Sequence, residues 1–118
     1  MSNAKNLKHI LERVYNHESL AGIDLRNLYL SYMDFSGLNL RAANLEGCCL
    51  NHALLDDCDL TDANLCNAKL THASFNGAQL AGTIFADVIA SGASFKGAKG
   101  LTAATKNYLK SKGVKELE

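Results

Sequence analysis

Two histidines that stand twenty residues apart, His52 and His72, carry the side chains best suited to metal chemistry in this chain. Neutral imidazole is a common ligand of divalent metals, and Cys49 and Asn51 lie near His52 in the sequence. Imidazoles also change charge near neutral pH, so a local pH switch is a second interpretation. Two histidines are too few for a closed zinc site, and no Cys-x-x-Cys pair accompanies them. The alternative is that both are solvated residues on an outer face.

A cluster of four aspartates is the second candidate site, and its members are Asp56, Asp57, Asp59 and Asp62. Clustered carboxylates suit a basic protein partner or a weakly held cation. Acid–base catalysis by such carboxylates usually needs a pocket that perturbs their pKa values, and the sequence pattern indicates none. The alternative is a solvated surface beside turns, where aspartate is a favoured residue.

Motifs of nucleophilic and phosphate chemistry are absent from the sequence. It contains no Gly-x-Ser-x-Gly elbow, no phosphate-binding glycine loop and no His-Glu-x-x-His motif. We therefore expect a protein that is not an enzyme and that uses no cofactor.

A period of five residues sets the elements that position these side chains. Leucine or phenylalanine occupies every fifth position from Leu20 to Phe85, and Phe95 resumes the series after Ala90. A second series, mostly of small residues, runs two places ahead of it. The members predicted to form an inner core ladder are Leu25, Leu30, Phe35, Leu40, Leu45, Leu50, Leu55, Leu60, Leu65, Leu70, Phe75, Leu80, Phe85 and Phe95.

This period fits neither a single helix nor a straight strand. Five steps along an α-helix advance about 140°, so the leucines would form no single stripe. In a straight strand an odd repeat sends successive leucines to opposite faces. The chain satisfies the pattern if it turns once per repeat, and glycine recurs two places after the leucine, where such a turn needs it. Coils that keep turning one way stack into a solenoid.

The repeats resemble those of a known family. The segments ANLEG at 43–47, ANLCN at 63–67 and ASFNG at 73–77 are similar to the pentapeptide-repeat motif A-(D/N)-L-x-x, and the match runs over roughly residues 20–99. The resemblance implies an all-β solenoid, a right-handed quadrilateral β-helix with four repeats in each coil and about four coils. It also implies that the leucine and the small residue two places before it point inward.

Coils of twenty residues predict which side chains stack. His52 would lie directly under His72, about 4.8 Å away, which is the spacing of hydrogen-bonded strands. Phe35, Phe75 and Phe95 would share one column, with Leu55 between the first two.

Tyr29 and Tyr32 fall at outward positions of the repeat. Exposed tyrosines are effective anchors in protein interfaces, so these two are candidate binding residues. The alternative, which the sequence leaves open, is that they pack against an N-terminal helix.

Both ends of the solenoid need covering, and the sequence supplies a candidate helix at each end. The first, within residues 1–19, starts at Ser2 or Asn3 and has Leu7, Ile10, Leu11, Val14 and Tyr15 at helical spacing. The β-helix follows over residues 20–100. Residues 101–118 form the second helix and a tail, with Thr102 as the N-cap and with Leu101, Tyr108 and Leu109 facing the last coil. The alternative is that one helix is a docking arm for a partner.

The amino-acid composition indicates which kinds of partner and which compartment suit this chain. Twelve basic and twelve acidic residues balance, which disfavours a nucleic-acid ligand, and no apolar run is long enough to cross a bilayer. The lysine-rich C-terminal region is best interpreted as a solvated helix face. Cys48 and Cys58 fall at inner positions and the four cysteines form no disulfide pattern, so we predict a cytoplasmic protein.

The favoured function is a scaffold for protein–protein interaction, because a filled rod presents flat outer faces and no cleft. The resemblance implies an alternative, since some pentapeptide-repeat proteins mimic DNA and act on DNA gyrase. The neutral charge and short length of this chain disfavour that role. A further alternative is a structural or targeting domain of a larger bacterial effector or multidomain protein.

Overall fold

Residues 7–117 are described by a computed structural model whose extents are 37 × 22 × 21 Å. Helix α1 spans Leu7–Tyr15 and helix α2 spans Ala103–Ser111. Between them, every fifth residue from Asp24 to Lys99 lies in a single-residue parallel β-bridge, and a turn separates each bridge from the next. Nearly all bridges join residues twenty apart, such as Asp24 with Asn44, so four sides complete one coil.

The turn between two sides needs a left-handed backbone at the second residue after each leucine. Every such position from Gly22 to Gly97 has a positive φ, whichever residue occupies it. Gly, Asn and Asp tolerate this conformation best, and they fill most of these positions. Because the chain turns after every five residues, successive leucines all point to the same, inner side.

The inner side is an apolar core without buried charged or polar residues among those described. All residues of the predicted core ladder are buried, and so are most of the small residues two places ahead of them. Phe75 and Phe95 stack with ring centroids 4.7 Å apart, and Phe85 meets Phe95 edge-on at 5.8 Å. The stacked pair of Phe75 and Phe95 forms the upper part of the predicted phenylalanine column, and Phe85 packs against it from the opposite side of the coil.

Backbone hydrogen bonds join each coil to the next in a repeating pattern. The N–H of Leu45 donates to the carbonyl of Asn64 at 2.8 Å, and the N–H of Asn64 donates to the carbonyl of Ala43 at 3.0 Å. A proline in these positions would remove a donor, which accounts for the absence of proline from the sequence.

Side-chain oxygens accept hydrogen bonds from those turn N–H groups that have no backbone carbonyl as partner. Where Asp or Asn precedes the leucine, it accepts from the residue after the leucine, as Asn64 Oδ1 does from the N–H of Cys66 at 2.9 Å. Ser74 takes that place two repeats further along the chain, before Phe75. There, Asp56 of the coil below accepts from the N–H of Asn76 at 2.9 Å and also from the Ser74 hydroxyl.

Two inner cysteines act as small core residues that donate weak hydrogen bonds. The Cys48 thiol donates to the carbonyl of Leu25 at 2.7 Å, and the Cys58 thiol donates to the carbonyl of Phe35 at 2.8 Å. Burial raises the pKa of Cys48 to about 11 and that of Cys58 to about 12. Both thiols are therefore protonated at neutral pH.

Helix α1 lies against the first coil through one narrow face. Ile10 is buried, and Leu7 and Val14 are partly buried against the core. The prediction that Leu11 and Tyr15 share this face is wrong, because they are 39% and 85% exposed. They follow Ile10 and Val14 by one residue, which is a rotation of about 100° away from the buried stripe.

The first predicted segment extends beyond the part of the chain that the structure describes. Ser2 and Asn3, the predicted start of the first helix, lie outside the described residues, and so does residue 118 of the predicted C-terminal segment. Among residues 7–117, no helix is long and apolar enough to cross a membrane.

Helix α2 begins at the predicted cap and lies on the last coil. The Thr102 hydroxyl accepts from the N–H of Thr105 at 3.1 Å, which satisfies one N–H of the first turn. Leu109 is fully buried, and Leu101 and Tyr108 are partly buried against the core.

The tail after α2 returns to the coil, which the sequence did not predict. The N–H of Lys115 donates to the carbonyl of Ala93 at 2.7 Å, and the N–H of Phe95 donates to the carbonyl of Glu116 at 2.8 Å. Ser94 and Glu116 form a parallel bridge. The tail therefore continues the ladder on one side of the last coil.

Candidate functional site

An aromatic ladder of Tyr32, His52 and His72 stands on one corner of the rod. The Tyr32 and His52 rings stack with centroids 4.7 Å apart and planes 4° apart, and the His52 and His72 rings stack at 5.1 Å and 29°. All three side chains are exposed, Tyr32 to 73%. The predicted stacking of His52 under His72 is therefore present, and Tyr32 extends it by one ring.

The backbone of the aromatic ladder is held in an unfavourable conformation. Tyr32, His52 and His72 have φ values of 66°, 61° and 58°, where a bulky side chain costs about 1 kcal/mol or more. Stacking of aromatic rings returns about 0.5–1.5 kcal/mol per pair. Because Gly, Asn or Asp would fit the same turns with less strain, the fold does not need aromatic residues at this corner.

The upper end of the ladder lies under a glycine, Gly92 of the next coil. A Cβ placed on Gly92 would lie 2.4 Å from His72 Nδ1, so the imidazole occupies the space that any larger residue at position 92 would need. The side chain of Asp62 lies under Gly82 in the same way. Side chains at the turn positions thus lean towards the next coil, and glycine there leaves room for them.

Tyr29 is a second exposed aromatic residue, in a different column from the ladder. It is 87% exposed and bridges to Cys49 of the next coil. The alternative that Tyr29 and Tyr32 pack against the N-terminal helix is wrong, because both rings are largely in solvent. Cys49 shares a 3.1 Å hydrogen bond with Ser31, and this bond lowers the pKa of the thiol.

A metal site at His52 and His72 stays a prediction. Their rings are stacked, and stacked rings present nitrogens side by side instead of converging on one point. Among residues 7–117, no group of three or more His, Cys, Asp or Glu side chains is placed to hold a metal ion. A shared ion would therefore require at least one ring to leave the stack.

The aspartate cluster divides into two structural and two exposed residues. Asp56 and Asp59 are half-buried on the outer side of the coil and accept hydrogen bonds. Asp59 accepts from Thr61 Oγ1 at 2.6 Å and from Arg41 at 3.1 Å, and these contacts, with that of Thr61 largest, lower its pKa.

Asp57 and Asp62 are the members of the cluster that remain available to a partner. Both are exposed at turns, with φ values of 58° and 61°. Their positions follow from the same left-handed geometry that glycine satisfies elsewhere in the rod. The binding role that the sequence suggests for the cluster stays a prediction.

The repeats match those of a known protein family. The sequence profile described as pentapeptide repeats matches residues 19–57 and 58–97, in eight copies. The chain belongs to the pentapeptide-repeat family. Comparison of the sequence with curated proteins gave no match.

Solved pentapeptide-repeat structures share the fold. A pentapeptide-repeat protein (Rfr23) from the cyanobacterium Cyanothece 51142 matches with a TM-score of 0.73 and 20% identity, over 78% of this chain and 76% of that one. The protein alr5209 from Nostoc Pcc 7120 matches with a TM-score of 0.54 and 20% identity, over 93% of both chains. These likenesses imply a right-handed quadrilateral β-helix for this pentapeptide-repeat protein.

A third similar structure is that of QnrB1, described as a plasmid-mediated fluoroquinolone resistance protein. It matches with a TM-score of 0.64 and 26% identity, over 68% of this chain and 41% of that one. This pentapeptide-repeat protein therefore spans well under half the length of QnrB1.

The place of Tyr32 in the aromatic ladder is the feature of the site that the sequence reasoning missed. Tyr32 was grouped with Tyr29, although it lies twenty residues before His52 and at the same phase of the repeat. The signal was present, because a twenty-residue coil places residues 32, 52 and 72 in one column. The left-handed conformation of three bulky residues adds a second signal that only the structure provides.

Proposed function

We propose that this pentapeptide-repeat protein is a non-enzymatic scaffold that binds a protein partner through the aromatic ladder. The observation that carries the proposal is the stack of Tyr32, His52 and His72, which is exposed and held in a strained backbone. Strain that the fold does not require is typical of positions kept for function. Exposed, ordered aromatic side chains lose little conformational entropy on binding and are effective interface anchors.

The chemistry of the ladder favours a protein partner. Its rings already stack on one another, so a partner meets their edges, where the phenol and imidazole groups both donate and accept hydrogen bonds. Tyr29 and the exposed carboxylates Asp57 and Asp62 supply further polar contacts on the same rod. Such a mixture of apolar and polar groups is common in protein interfaces.

The scaffold is proposed as a rod of about four coils that α1 and α2 close at the two ends. Ile10 of α1 and Leu109 of α2 are buried in the same core as the coil residues, which supports this role. The alternative of a docking arm is supported by α1, because Leu11 and Tyr15 on its outer side are exposed. Free thiols among the described residues support a reducing, cytoplasmic location.

Site-specific photo-crosslinking in the native host tests the proposal. A benzophenone amino acid at Tyr32 or Tyr29 should yield one crosslinked protein species. The same group at Leu54, which is 42% exposed on another column, is the matched control. A crosslinked band that is no stronger from Tyr32 than from Leu54 would remove the ladder from the proposal.

A second candidate function is an interaction with DNA gyrase. The likeness to QnrB1, a fluoroquinolone resistance protein, favours it at 26% identity. The balanced charge weighs against it, because a mimic of DNA should be strongly acidic. A supercoiling assay with purified gyrase, with and without a fluoroquinolone, decides the matter, and an unchanged reaction at high micromolar protein rejects this candidate.

A further inference from the structure

The last coil has an open backbone edge along residues 82–90. One coil below, the N–H groups of Leu65 and Leu70 donate to the carbonyls of Ile84 and Ile89 at 2.8 and 2.6 Å. At the equivalent points of the last coil, the N–H groups of Gly82, Phe85, Asp87 and Ala90 donate to no carbonyl within residues 7–117. In the same part of the chain, the carbonyls of Thr83 and Val88 accept from no backbone N–H.

The edge is open because the chain becomes helical where another coil would continue. Residues 103–111 form α2 and pack their side chains on the coil end, so their own backbone groups bond within the helix. The tail then resumes extended pairing on the next side, where the N–H of Gly92 donates to the carbonyl of Gly113 at 2.9 Å. The tail thus demonstrates that an extended segment fits on the last coil.

An apolar groove of about 330 Å³ runs beside the open edge. It lies between the coil and α2, and its lining includes Phe85, Ala104 and Tyr108. The Tyr108 hydroxyl is buried and has no hydrogen-bond partner among the described residues. Ile84 and Ile89, on the outer faces of the same edge, are 49% and 55% exposed. The edge therefore combines unpaired backbone groups with apolar surface.

The charge around the edge is positive. Residues 82–117 contain six lysines against one aspartate, Asp87, and one glutamate, Glu116, so this end of the rod has a formal net charge of +4. Lys112 lies over the Tyr108 ring, with its ammonium 5.4 Å from the centroid. An acidic segment would therefore be attracted to this end of the rod, and the attraction would weaken with added salt.

We propose that the open edge at residues 82–90 binds an extended acidic peptide segment of a partner protein. The segment pairs its backbone with Phe85, Asp87 and Thr83, in the way that the tail pairs on the next side. An apolar side chain of the segment enters the groove beside Tyr108. Strand addition of this kind takes its affinity from main-chain hydrogen bonds and its specificity from the side-chain pocket. The inference rests on the proposed protein-binding function but uses a site separate from the aromatic ladder.

The first test is binding of a fluorescein-labelled peptide, EDADLEDADLE, followed by anisotropy and by amide hydrogen exchange of the full chain. We expect saturable binding that weakens with salt and slower exchange at Phe85 and Asp87. Two isomers of the peptide, N-methylated at alternate sets of amides, are the matched controls. One set of amides faces the edge, so one isomer should lose binding and the other should keep it. Loss with both isomers, or with neither, overturns the backbone pairing.

The second test uses two variants in the first turn of α2. Ala104→Trp fills the groove, whereas Ala103→Trp adds the same bulk at a neighbouring exposed position that does not line it. We expect peptide binding at least about tenfold weaker for Ala104→Trp and within about twofold of wild type for Ala103→Trp. Equal effects of the two variants, with both folded by circular dichroism, overturn the proposal.

A third variant separates this inference from the proposed function. Tyr32→Asn should leave peptide binding and the protection of Phe85 unchanged, because the ladder lies on another part of the rod. If the peptide instead protects amides around Tyr32, the open edge is not its site, and the ladder is supported. The exchange of the Phe85 amide is also measured in the absence of peptide. If it slows as the protein concentration rises, a second copy of this chain occupies the edge, and the peptide proposal is overturned.

Discussion

His72 lies so close under Gly92 that a Cβ on the glycine would come within 2.4 Å of the imidazole Nδ1. Gly92→Ala should therefore push the His72 ring out of the aromatic ladder in addition to straining a backbone with φ of 74°. We expect a loss of about 1.5–3 kcal/mol in the free energy of unfolding, from the strain and the lost stacking. Urea denaturation measures the loss, and the imidazole resonances of His72 report the displacement.

Gly37→Ala is the matched control for that change. Gly37 has φ of 76°, and nothing lies within 4 Å of a Cβ added there. It should cost only the backbone strain, about 1–2 kcal/mol, and leave the His72 resonances in place. Identical behaviour of the two variants would mean that His72 does not pack against Gly92.

Asp56 is expected to stabilise the coil above it as a hydrogen-bond acceptor and not through its charge. Its Oδ1 accepts from the N–H of Asn76 at 2.9 Å, and Asn76 in turn accepts from the N–H of Lys96 at 2.9 Å. Asp56→Ala should lower the free energy of unfolding by about 1–3 kcal/mol, because the N–H and the Ser74 hydroxyl lose their partner. Asp56→Asn keeps the acceptor oxygen and should stay within about 0.5 kcal/mol of wild type. A large loss with asparagine would show that the charge is what matters.

Acid should destabilise the fold in part through Asp59. Contacts with Thr61 and Arg41 lower the folded-state pKa of Asp59 below its ordinary value of 3.8. The unfolded chain therefore binds more protons below about pH 4, so this contribution to stability is complete above that pH and is lost as the pH falls through the folded-state pKa.

The melting temperature between pH 7 and pH 2 checks this expectation. Asp59→Asn should flatten the acid limb of the curve compared with wild type. Asp57→Asn, at an exposed carboxylate that accepts no hydrogen bond within residues 7–117, is the control for the change in net charge. An acid limb that Asp59→Asn does not alter would assign the acid sensitivity to other carboxylates.

The four thiols should react in two classes. Cys48 and Cys58 are buried, with pKa values raised to about 11 and about 12, while Cys49 and Cys66 are half-exposed. Because the thiolate is the reactive form, a maleimide at pH 8 should label Cys49 and Cys66 in the native protein and all four thiols only after unfolding. Cys49 should react faster than Cys66, since its bond to Ser31 lowers its pKa. Rapid native labelling of Cys48 or Cys58 would contradict the inward assignment.

The five-residue period was enough to predict which side chains point inward, because few arrangements of the chain bury all the leucines together. Leu65 and Ala63 must share one side if the chain turns once per repeat, and both are buried. The twenty-residue register then followed from the family resemblance and placed His52 under His72. These predictions depend on local geometry that every repeat shares.

Features that depend on one particular residue departing from the shared pattern, or on a segment outside the repeats, were beyond the sequence. Asp56 accepts a hydrogen bond from Ser74, which stands where several other repeats have Asp or Asn. The sequence alone did not distinguish this aspartate from the others of its cluster. The pairing of Glu116 with Ser94 joins a segment without the repeat motif to the last coil. Leu11 and Tyr15 fitted the helical spacing, but a nine-residue helix buried only the narrow face around Ile10.

The most direct test of the proposed function removes the aromatic ladder without disturbing its turns. The variant carrying Tyr32→Asn, His52→Asn and His72→Asn places a residue that tolerates positive φ at each turn, so it should fold at least as stably as wild type. We would capture crosslinked partners from native-host lysate with wild type, with this variant and with the control Leu54→Ser, and quantify them by mass spectrometry. We expect a partner that wild type and Leu54→Ser both capture, and the amount captured by the ladder variant should be at least about tenfold lower. A partner that the folded ladder variant retains in full would contradict the claim that Tyr32, His52 and His72 form the binding site.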